Sequence, residues 1–396
     1  MFESIEVAPA DPILGLGEAF QRDPNPNKIN LSVGVYKDER GQTPVLECVK
    51  QAEQRLIEQE KTKSYLAISG LAAYDSFVQQ LLFGADSPLI AAGRCGTLQS
   101  PGGTGALRVA ADFLGQRVSG ATVWCSSPTW ANHPKIFEAA GLRVANYDYL
   151  AENGRDFNFD GMLAKLRQVP AGDVVLLHAC CHNPSGVDPS LEQWQQIADC
   201  LVERKLLPLI DFAYQGFGKG LEDDASGLRT IASVVPEFFV ASSFSKNFGL
   251  YRERVGALTV VAADSSAADA VMSQLKVCVR TNYSNPPAHG GAVVETILGD
   301  PALSETWRNE LTVMRERIHE MRQLFVQRMR EYAPQRDFSF LLQQAGMFSF
   351  SGLTPEQVDR LRDEHAIYIV RSGRINVAGI TPQNVEPLCR AIASVL

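Results

Sequence analysis

Five apolar runs in the middle of the chain alternate with segments that have helical periodicity. The runs are ATVWCSS, DVVLLHACC, LLPLIDFAY, FFVASSFS and GALTVVA, all within residues 121–262. The segment SLEQWQQIADCLVERK, residues 190–205, has apolar positions at helical spacing and separates two of the runs. Apolar strands that alternate with helices predict a mainly parallel sheet covered on both faces. Ligands of such sheets bind at the carboxyl ends of the strands.

A second pattern begins after Pro287, where long charged amphipathic helices and short segments such as GMFSFSG and RINVAG replace the apolar runs. At 396 residues, the chain exceeds the size at which one hydrophobic core stops growing, so about two domains are expected. We predict an α/β fold with a large domain over residues 44–312. A smaller α/β domain would comprise residues 12–43 and 313–396, and an N-terminal arm would precede it at residues 1–11.

The composition is that of an ordinary soluble globular chain, with 45% hydrophobic and 21% charged residues. The formal net charge of −8 favours solubility and argues against a nucleic-acid polyanion as the main partner. No run approaches the roughly 20 apolar residues of a membrane span, so we expect no membrane partner. The first residues, MFESIEVAPADPILG, lack the basic and apolar regions of a secretion signal. We therefore expect a cytoplasmic protein.

The eight cysteines are scattered without a framework spacing, which indicates free thiols in a reducing compartment. Cys180, Cys181 and His182 have metal-ligand chemistry, but consecutive strand residues project to alternate faces and do not easily converge on one ion. We therefore predict no metal. The segment GLGEAF from Gly15 lacks the preceding strand and the third glycine of a dinucleotide fingerprint, so a nicotinamide cofactor is not expected.

Polar side chains follow the apolar runs at the positions where the predicted strands end. The segments that carry them are SPTWANHP, CHNPSG, IDFAYQGFGKG and SSFSK. Upstream, SPGGTGALRVAADFLG passes from a glycine turn into a helical pattern, which is the form of an anion site at a helix N-terminus. The candidate site residues in these segments are Gly102, Gly103, Thr104, Trp130, His133, Asn183, Asp211, Tyr214, Ser243, Ser245 and Lys246.

Lys246 lies between two apolar runs, in SSFSKNFGLYRERVGAL, where an isolated ammonium group would be costly to bury. A solvated surface loop is one interpretation of this segment. The other is that Lys246 binds pyridoxal 5′-phosphate, which requires a lysine for its aldehyde, an anion for its ring nitrogen and a phosphate cradle. A lysine held as a covalent imine need not carry the full desolvation cost of an ammonium group.

The same strand ends supply the other groups that this cofactor requires. Asp211 would keep the ring nitrogen protonated, while Asn183 and Tyr214 could both donate hydrogen bonds to the phenolate oxygen. Trp130 could stack on the face of the ring. The phosphate cradle would comprise Gly103, Thr104, Ser243 and Arg254.

The segments NPSG, DFAYQGF, SFSKNFGLYRERVGA, TNYSNPPAHG and SGRINVAG closely resemble the aspartate aminotransferase family, in order and over essentially the whole chain. That family consists of fold-type I pyridoxal-phosphate enzymes and includes aromatic-amino-acid aminotransferases. The resemblance implies the same cofactor roles for the residues above, adds Gly102 and Ser245 to the cofactor contacts, and makes His133 a partner of Asp211.

The resemblance also implies how a substrate is held. Arg374, in SGRINVAG, matches the arginine that binds the α-carboxylate, for which a bidentate guanidinium is suited. Arg280, in VRTNYSNPP, matches an arginine that the neighbouring subunit contributes to the side-chain carboxylate, and Tyr65 matches a tyrosine that reaches the phosphate across the interface. A homodimer with shared sites follows. The other residues expected to contact substrate are Gly34, Trp130 and Asn183.

The expected activity is ping-pong amino transfer between L-aspartate and 2-oxoglutarate, which gives oxaloacetate and L-glutamate. Val35, Lys37, Thr43 and Asn285 are expected around the pocket and resemble the aspartate-preferring branch of the family. A broad-specificity aromatic-amino-acid aminotransferase is the first alternative. A lyase or decarboxylase on the same cofactor is the second, because the lysine, aspartate and phosphate cradle do not choose which bond breaks. A non-catalytic cofactor-binding regulator is the third.

Overall fold

The computed structural model describes residues 2–7, 11, 13–118 and 120–396. The predicted N-terminal arm lies partly outside these residues, as does the residue at which the small domain was predicted to begin, Pro12. In chain order the strands are β1 Ile29–Asn30, β2 Cys95–Pro101, β3 Thr122–Ser127, β4 Arg143–Asp148, β5 Val174–His178, β6 Leu207–Phe212, β7 Phe238–Ser243, β8 Val255–Val261, β9 Phe348–Phe350, β10 Ile367–Tyr368 and β11 Arg374–Asn376.

Helices occupy most of the remaining described chain. In order they are α1 Leu14–Arg22, α2 Glu47–Gln59, α3 Ala72–Phe83, α4 Pro88–Ala91, α5 Gly102–Arg117, α6 Asn132–Ala139, α7 Phe159–Leu166, α8 Leu191–Arg204, α9 Leu221–Asp224, α10 Ser226–Val234, α11 Ser265–Asn282, α12 Ala288–Gly299, α13 Pro301–Tyr332, α14 Pro355–His365 and α15 Val385–Val395. Short 3-10 turns lie at Ser339–Gln343 and Val377–Gly379.

The central sheet has the strand order β2-β8-β7-β6-β5-β3-β4. The ladder is parallel from β7 to β4, and four of the five predicted apolar runs contain one of its strands, while the fifth run overlaps β8. The prediction of a mainly parallel α/β sheet is therefore confirmed. Strand β8 runs antiparallel to β7 and β2, because the chain returns from β7 to β8 through a short connection that has no crossover helix.

Both faces of the sheet are buried, as predicted. In β5, Val174 and Leu176 pack into one hydrophobic core, while Val175 and Leu177 pack into the core on the opposite face. Side chains of a strand alternate between its two faces, so a continuous apolar run is what a doubly covered strand requires. Burial of each such aliphatic side chain contributes about 1.5–3 kcal/mol to the free energy of unfolding.

Helix α8 shows how the local sequence sets the ends of a helix. Ser190 and Gln193 form a capping box, in which each side chain accepts a hydrogen bond from the backbone N–H of the other residue. Lys205 adopts the left-handed conformation and ends the helix. The helix predicted at residues 190–205 is thus observed at Leu191–Arg204.

The two ends of the chain meet away from the central sheet. Strand β1 pairs in parallel with β10, and β11 pairs in an antiparallel ladder with β9. The first of these pairings brings residues near 30 to residues near 370. Helix α13 runs without interruption through the predicted boundary at residue 313. The division into residues 12–43 with 313–396 and 44–312 stays a prediction.

Among the described residues, no helix combines the length and apolarity needed to cross a membrane.

Candidate active site

A cavity of about 380 Å³ opens at the carboxyl ends of β5, β6 and β7. Parallel strands deliver their following residues to one edge, which is why separate sequence segments converge there. Twelve of the predicted cofactor or substrate residues line the cavity. They are Gly34, Gly103, Thr104, Trp130, Asn183, Asp211, Tyr214, Ser243, Ser245, Lys246, Arg254 and Arg374.

The side chain of Asp211 is an ionised carboxylate that forms a hydrogen bond with a histidine. Its Oδ2 atom lies 3.0 Å from Nε2 of His133, whose side chain is fully buried. Burial alone would raise the pKa of Asp211, but the hydrogen bond and charge of His133 bring the pKa below its ordinary value, with further help from Lys246. The negative charge is therefore retained at the base of the cavity. The contact between His133 and Asp211 was expected from the family resemblance.

The hydrogen-bond chain continues beyond His133 through residues that the sequence analysis missed. His133 Nδ1 lies 2.8 Å from Thr129 Oγ1, which lies 3.2 Å from His178 Nε2. His178 Nδ1 in turn accepts the backbone N–H of Asn183 at 3.4 Å. Burial, with the charge of His133, lowers the pKa of His178 to about 3. His178 is thus neutral, and this chain connects Asp211 to the loop that carries Asn183.

Lys246 is half-buried, and its Nζ atom lies 4.6 Å from the centre of the Tyr214 ring. Burial lowers the pKa of Lys246 to about 8; Asp211 opposes this shift and Arg254 adds to it. About a tenth of this amine is therefore neutral at pH 7, far more than of a solvated lysine. A neutral amine is a nucleophile and a base, which an ammonium group is not. The interpretation of this segment as a solvated surface loop is therefore wrong.

An anion cradle lies at the start of α5. Gly102 has φ +74°, and a Cβ atom there would lie 2.5 Å from Arg254 Nη2, so only glycine fits beside the guanidinium. A Cβ at Gly103 would lie 3.0 Å from Ser243 Cβ. Arg254 Nη1 donates to Ser245 Oγ at 3.3 Å. Backbone N–H groups at a helix N-terminus, two hydroxyls and an arginine together suit a phosphate.

Arg374 is buried on the opposite side of the cavity. Its Nη1 donates to Asn183 Oδ1 at 3.3 Å and its Nη2 to the Ser32 carbonyl at 2.5 Å, while Nε has no partner. The guanidinium carbon lies 4.1 Å from the centre of the Phe348 ring. Burial lowers the pKa of Arg374 to about 10, with Tyr214 opposing the shift, so the group stays charged at neutral pH. An incompletely paired buried guanidinium is suited to a carboxylate ligand.

Four predicted site residues do not line this cavity: Gly102 and His133 lie directly behind residues that do, whereas Tyr65 and Arg280 lie on the surface. Tyr65 is 92% exposed, and the exposed Arg280 donates through Nη1 to Ser284 Oγ. Neither side chain belongs to the cavity of its own chain, as expected of residues predicted to act across a subunit interface.

The expected specificity pocket needs a correction. In the described chain, Val35 lines the cavity, but Lys37, Thr43 and Asn285 do not. Thr43 Oγ1 instead donates to the Tyr36 carbonyl at 2.9 Å, so its hydroxyl holds the loop rather than facing a ligand. Asn285 Nδ2 lies 3.5 Å from the same Ser284 hydroxyl that accepts from Arg280.

The reason given for excluding a metal also needs correction. Cys180 and Cys181 follow β5 rather than lying in it, and Cys181 has φ +50°. Their sulfur atoms lie within 4.8 Å of each other and of an Asp224 oxygen. Asp224, however, already accepts the backbone N–H groups of Gly216, Gly218 and Lys219. Burial raises the pKa of both thiols, which disfavours the thiolates that a metal requires.

The residues present fit the cofactor predicted from the sequence. A half-buried amine with a lowered pKa, a buried carboxylate that stays charged and a glycine-walled anion cradle surround one cavity. These are the three groups that pyridoxal phosphate requires. Asn183 Nδ2 and Tyr214 Oη, 3.5 Å apart, add two donors between the lysine and Arg374.

Comparisons with known proteins agree with this arrangement. The family described as "Aminotransferase class I and II" matches residues 26–392, and the chain belongs to that family. It is 58% identical to an aspartate aminotransferase of Escherichia coli (strain K12) over 396 residues, which is 100% of both chains. It is 50% identical over 394 residues to an aromatic-amino-acid aminotransferase of Pseudomonas aeruginosa, covering 100% of this chain and 98% of the other.

A solved structure gives the same result at the level of the fold. An aromatic-amino-acid aminotransferase of Burkholderia pseudomallei, covalently bound to pyridoxal phosphate, matches with a TM-score of 0.97 and 50% identity. The match covers 100% of this chain and 99% of that one. The chain is accordingly an aminotransferase with the fold of that family.

Proposed function

We propose that the chain is a pyridoxal 5′-phosphate-dependent aspartate aminotransferase. It transfers an amino group from L-aspartate to 2-oxoglutarate and releases oxaloacetate and L-glutamate. The observation that carries this proposal is that Lys246, Asp211 and Arg374 line one cavity, so a reactive amine, a fixed anion and a carboxylate receptor face the same ligand. The 58% identity to an aspartate aminotransferase supports aspartate as the donor.

The cofactor would be held at both of its ends. Ser243, Ser245 and Arg254, with the α5 N-terminus at Gly102–Thr104, would bind its phosphate. Trp130 would cover one face of its ring. When bound, pyridoxal phosphate supplies an aldehyde that accepts an amino group and a ring that withdraws electrons from the substrate α-carbon.

The residues of the chain then act on protons and charges. Lys246 Nζ would hold the cofactor covalently through its aldehyde, and as a free neutral amine Lys246 would remove the proton from the substrate α-carbon. Its pKa of about 8 keeps this base close to neutral pH, where proton transfer in both directions is feasible. Asp211 would place its negative charge beside the ring nitrogen, while Asn183 and Tyr214 would donate hydrogen bonds to the ring oxygen.

Substrate orientation comes from Arg374. Its guanidinium would bind the α-carboxylate and so place the α-hydrogen toward Lys246. Both the amino acid and the oxo acid carry this carboxylate, so the same residue serves both halves of the reaction. Arg280 of a second subunit would bind the side-chain carboxylate, and Tyr65 of that subunit would reach the phosphate. Under this proposal the enzyme is a homodimer with shared sites.

The substrate specificity is tested by kcat/KM for aspartate, glutamate, phenylalanine and tyrosine in wild type and Arg280→Leu. We expect wild type to prefer the dicarboxylates. Loss of the arginine should lower their kcat/KM by roughly 100-fold or more, since the side-chain carboxylate loses its charged partner, and should spare the aromatics. Arg371→Leu, which removes an exposed arginine paired with Asp359, is the matched control.

Two results would contradict this assignment. A wild-type preference for phenylalanine or tyrosine would place the enzyme in the aromatic branch, to which several relatives belong. An equal loss for all four donors would mean that Arg280 does not bind the side chain. Product analysis with aspartate also tests the reaction class, since oxaloacetate indicates amino transfer, whereas alanine and CO₂ indicate decarboxylation.

The shared site is tested with hybrid dimers of two variants expected to have little aspartate activity, Lys246→Ala and Arg280→Leu. In a hybrid, one site combines Lys246 of one chain with Arg280 of the other and is intact, while the second site carries both changes. A random equal mixture should therefore recover about a quarter of wild-type aspartate activity. The separate variants supply the baseline. No recovery in mixtures shown by mass spectrometry to contain hybrids would place both residues in the same chain's site.

Two remaining assignments are also proposals. We propose that the chain divides into a large domain at residues 44–312 and a small domain at residues 12–43 and 313–396. The eight cysteines are free in the structure, which supports a reducing, cytoplasmic location.

A further inference from the structure

One wall of the cavity is a backbone segment. We define residues 32–38 as the wall segment; Val33, Gly34 and Val35 line the cavity. A Cβ atom at Gly34 would lie 2.4 Å from Phe348 Cζ, so the backbone here packs directly on an aromatic ring. Phe348 lines the same cavity, so small shifts of the wall backbone against this ring would change the space left for a substrate.

The side chain of Asn376 forms hydrogen bonds with the backbone of the wall segment. Its Nδ2 atom donates to the Val33 carbonyl at 2.8 Å and to the Val35 carbonyl at 2.9 Å, which are the carbonyls on either side of Gly34. The residue is only 1% exposed. Two hydrogen bonds from one amide nitrogen therefore fix the carbonyl orientation on both sides of the glycine.

The chemistry of this contact requires an amide. Only the NH₂ group of asparagine can face two carbonyl oxygens, because its oxygen, like a carboxylate, would be repelled by them. The Oδ1 atom of Asn376 is buried without a partner, which is unfavourable for stability. An apolar residue would avoid that cost but would remove the side-chain donor of the Val35 carbonyl and leave the Val33 carbonyl with the backbone N–H of Val35, 2.9 Å away.

Asn376 is connected to the carboxylate receptor in two ways. Arg374 and Asn376 are alternate residues of β11, so their side chains project to the same side of the strand. Arg374 Nη2 donates to the Ser32 carbonyl at 2.5 Å, one residue before the first carbonyl that Asn376 holds. The position of the wall and the orientation of the Arg374 guanidinium are thus set by the same short strand.

We propose that Asn376 is a positioning residue for substrate binding: by fixing the carbonyls of Val33 and Val35, it sets the wall around Gly34 and the placement of Arg374 for the substrate carboxylate. This inference rests on the proposed function, because it assigns a further residue to the same site. Asn376 has no contact with Lys246 or Asp211 among the hydrogen bonds of the described residues, so the chemical step should proceed once substrate is bound.

Other contacts hold the far end of the wall and should preserve the fold when Asn376 is changed. The backbone N–H of Tyr36 donates to Tyr251 Oη at 3.0 Å. Arg317 Nη2 donates to the Asp38 carbonyl at 3.1 Å. The backbone N–H of Lys37 donates to the Ala378 carbonyl at 3.1 Å. A change at Asn376 should therefore act mainly on residues 33–35.

The test compares Asn376→Asp with Asn384→Asp in the holoenzyme. Asn384 also donates its Nδ2 to a carbonyl, that of Gly379 at 3.0 Å, but it does not contact the wall. For Asn376→Asp we expect the Kd of succinate, measured calorimetrically, and the KM of aspartate to rise by about tenfold or more, as for the loss of two hydrogen bonds. The kcat should stay within about threefold of wild type, because uniform binding is lost and not transition-state stabilisation. The control should match wild type in both binding measurements.

Asn376→Ala is the second variant and removes both donors without adding a charge. If Asn376→Asp does not fold, Asn376→Ala should show the same rise in Kd and KM with an unchanged kcat. The proposal is overturned if the folded variant has the same succinate Kd and aspartate KM as Asn384→Asp. It is also overturned if kcat falls while the succinate Kd and the aspartate KM stay constant. Failure of the proposed function is a different result, since wild type would then show no aspartate turnover.

Discussion

Lys246→Ala should lower amino transfer by more than about 10⁴-fold while the protein remains folded, because the lysine performs both covalent and proton-transfer steps that no neighbour replaces. The fold should persist because burial disfavours the charged amine, as its lowered pKa of about 8 shows. The measurement is the rate of oxaloacetate formation together with thermal unfolding. In wild type, borohydride reduction should attach the cofactor to the peptide that contains Lys246.

Lys219→Ala is the matched control for this prediction. Lys219 is an exposed lysine in the loop after β6, and its alanine variant should keep wild-type activity. Recovery of the reduced cofactor on any lysine other than Lys246 would contradict the assignment. Substantial turnover by Lys246→Ala would contradict its role as the base.

Asp211→Asn should retain the cofactor but lose activity by about 10³-fold, since a neutral amide cannot stabilise a positive ring nitrogen by charge. The side chains have nearly the same size, so packing against His133 should survive. Bound cofactor per subunit, measured by absorbance, should stay near the wild-type value. Exchange of the aspartate α-hydrogen with solvent, followed by NMR, should slow in parallel with turnover.

A second buried carboxylate separates this effect from a general loss of charge. Asp173 is 7% exposed and accepts hydrogen bonds from the Thr122 backbone and the Trp124 indole, away from the cavity. Asp173→Asn should lower stability and leave turnover per folded subunit unchanged. Near-normal hydrogen exchange in Asp211→Asn would mean that Asp211 does not act on the ring nitrogen.

The main sheet and most of the cavity could be predicted because their signals are local. Each apolar run is long enough to be a strand. The polar residues that follow neighbouring parallel strands lie together at the carboxyl-terminal edge of the sheet. Lys246 and Asp211 are predictable for this reason. The role of His133 as a partner of Asp211 was suggested only by the family resemblance, because their contact spans 78 residues of sequence.

The missed features depend on contacts that no local pattern encodes. Thr129 and His178 are ordinary residues in sequence, and only the packing of the loop after β3 against β5 places their side chains in one hydrogen-bond chain. The segment SPTWANH and the histidine at the end of an apolar run were the available signals. Lys37 and Thr43 were placed in the pocket by resemblance, but their backbone and side-chain contacts direct the loop elsewhere.

The side-chain amide of Asn183 has a consequence for how the two ends of the cavity communicate. Its Oδ1 accepts from Arg374 and its Nδ2 lies 3.5 Å from Tyr214 Oη, so one planar group touches both the carboxylate receptor and the ring-oxygen donors. A carboxylate at Arg374 competes for the guanidinium Nη1 that Asn183 now occupies. A change in charge near Tyr214 that shifts this amide would alter the affinity of Arg374 for a carboxylate. By thermodynamic reciprocity, carboxylate binding would shift the equilibrium near Tyr214 by the same factor. Under the proposed function, substrate capture and cofactor electronics would therefore be coupled through this single amide.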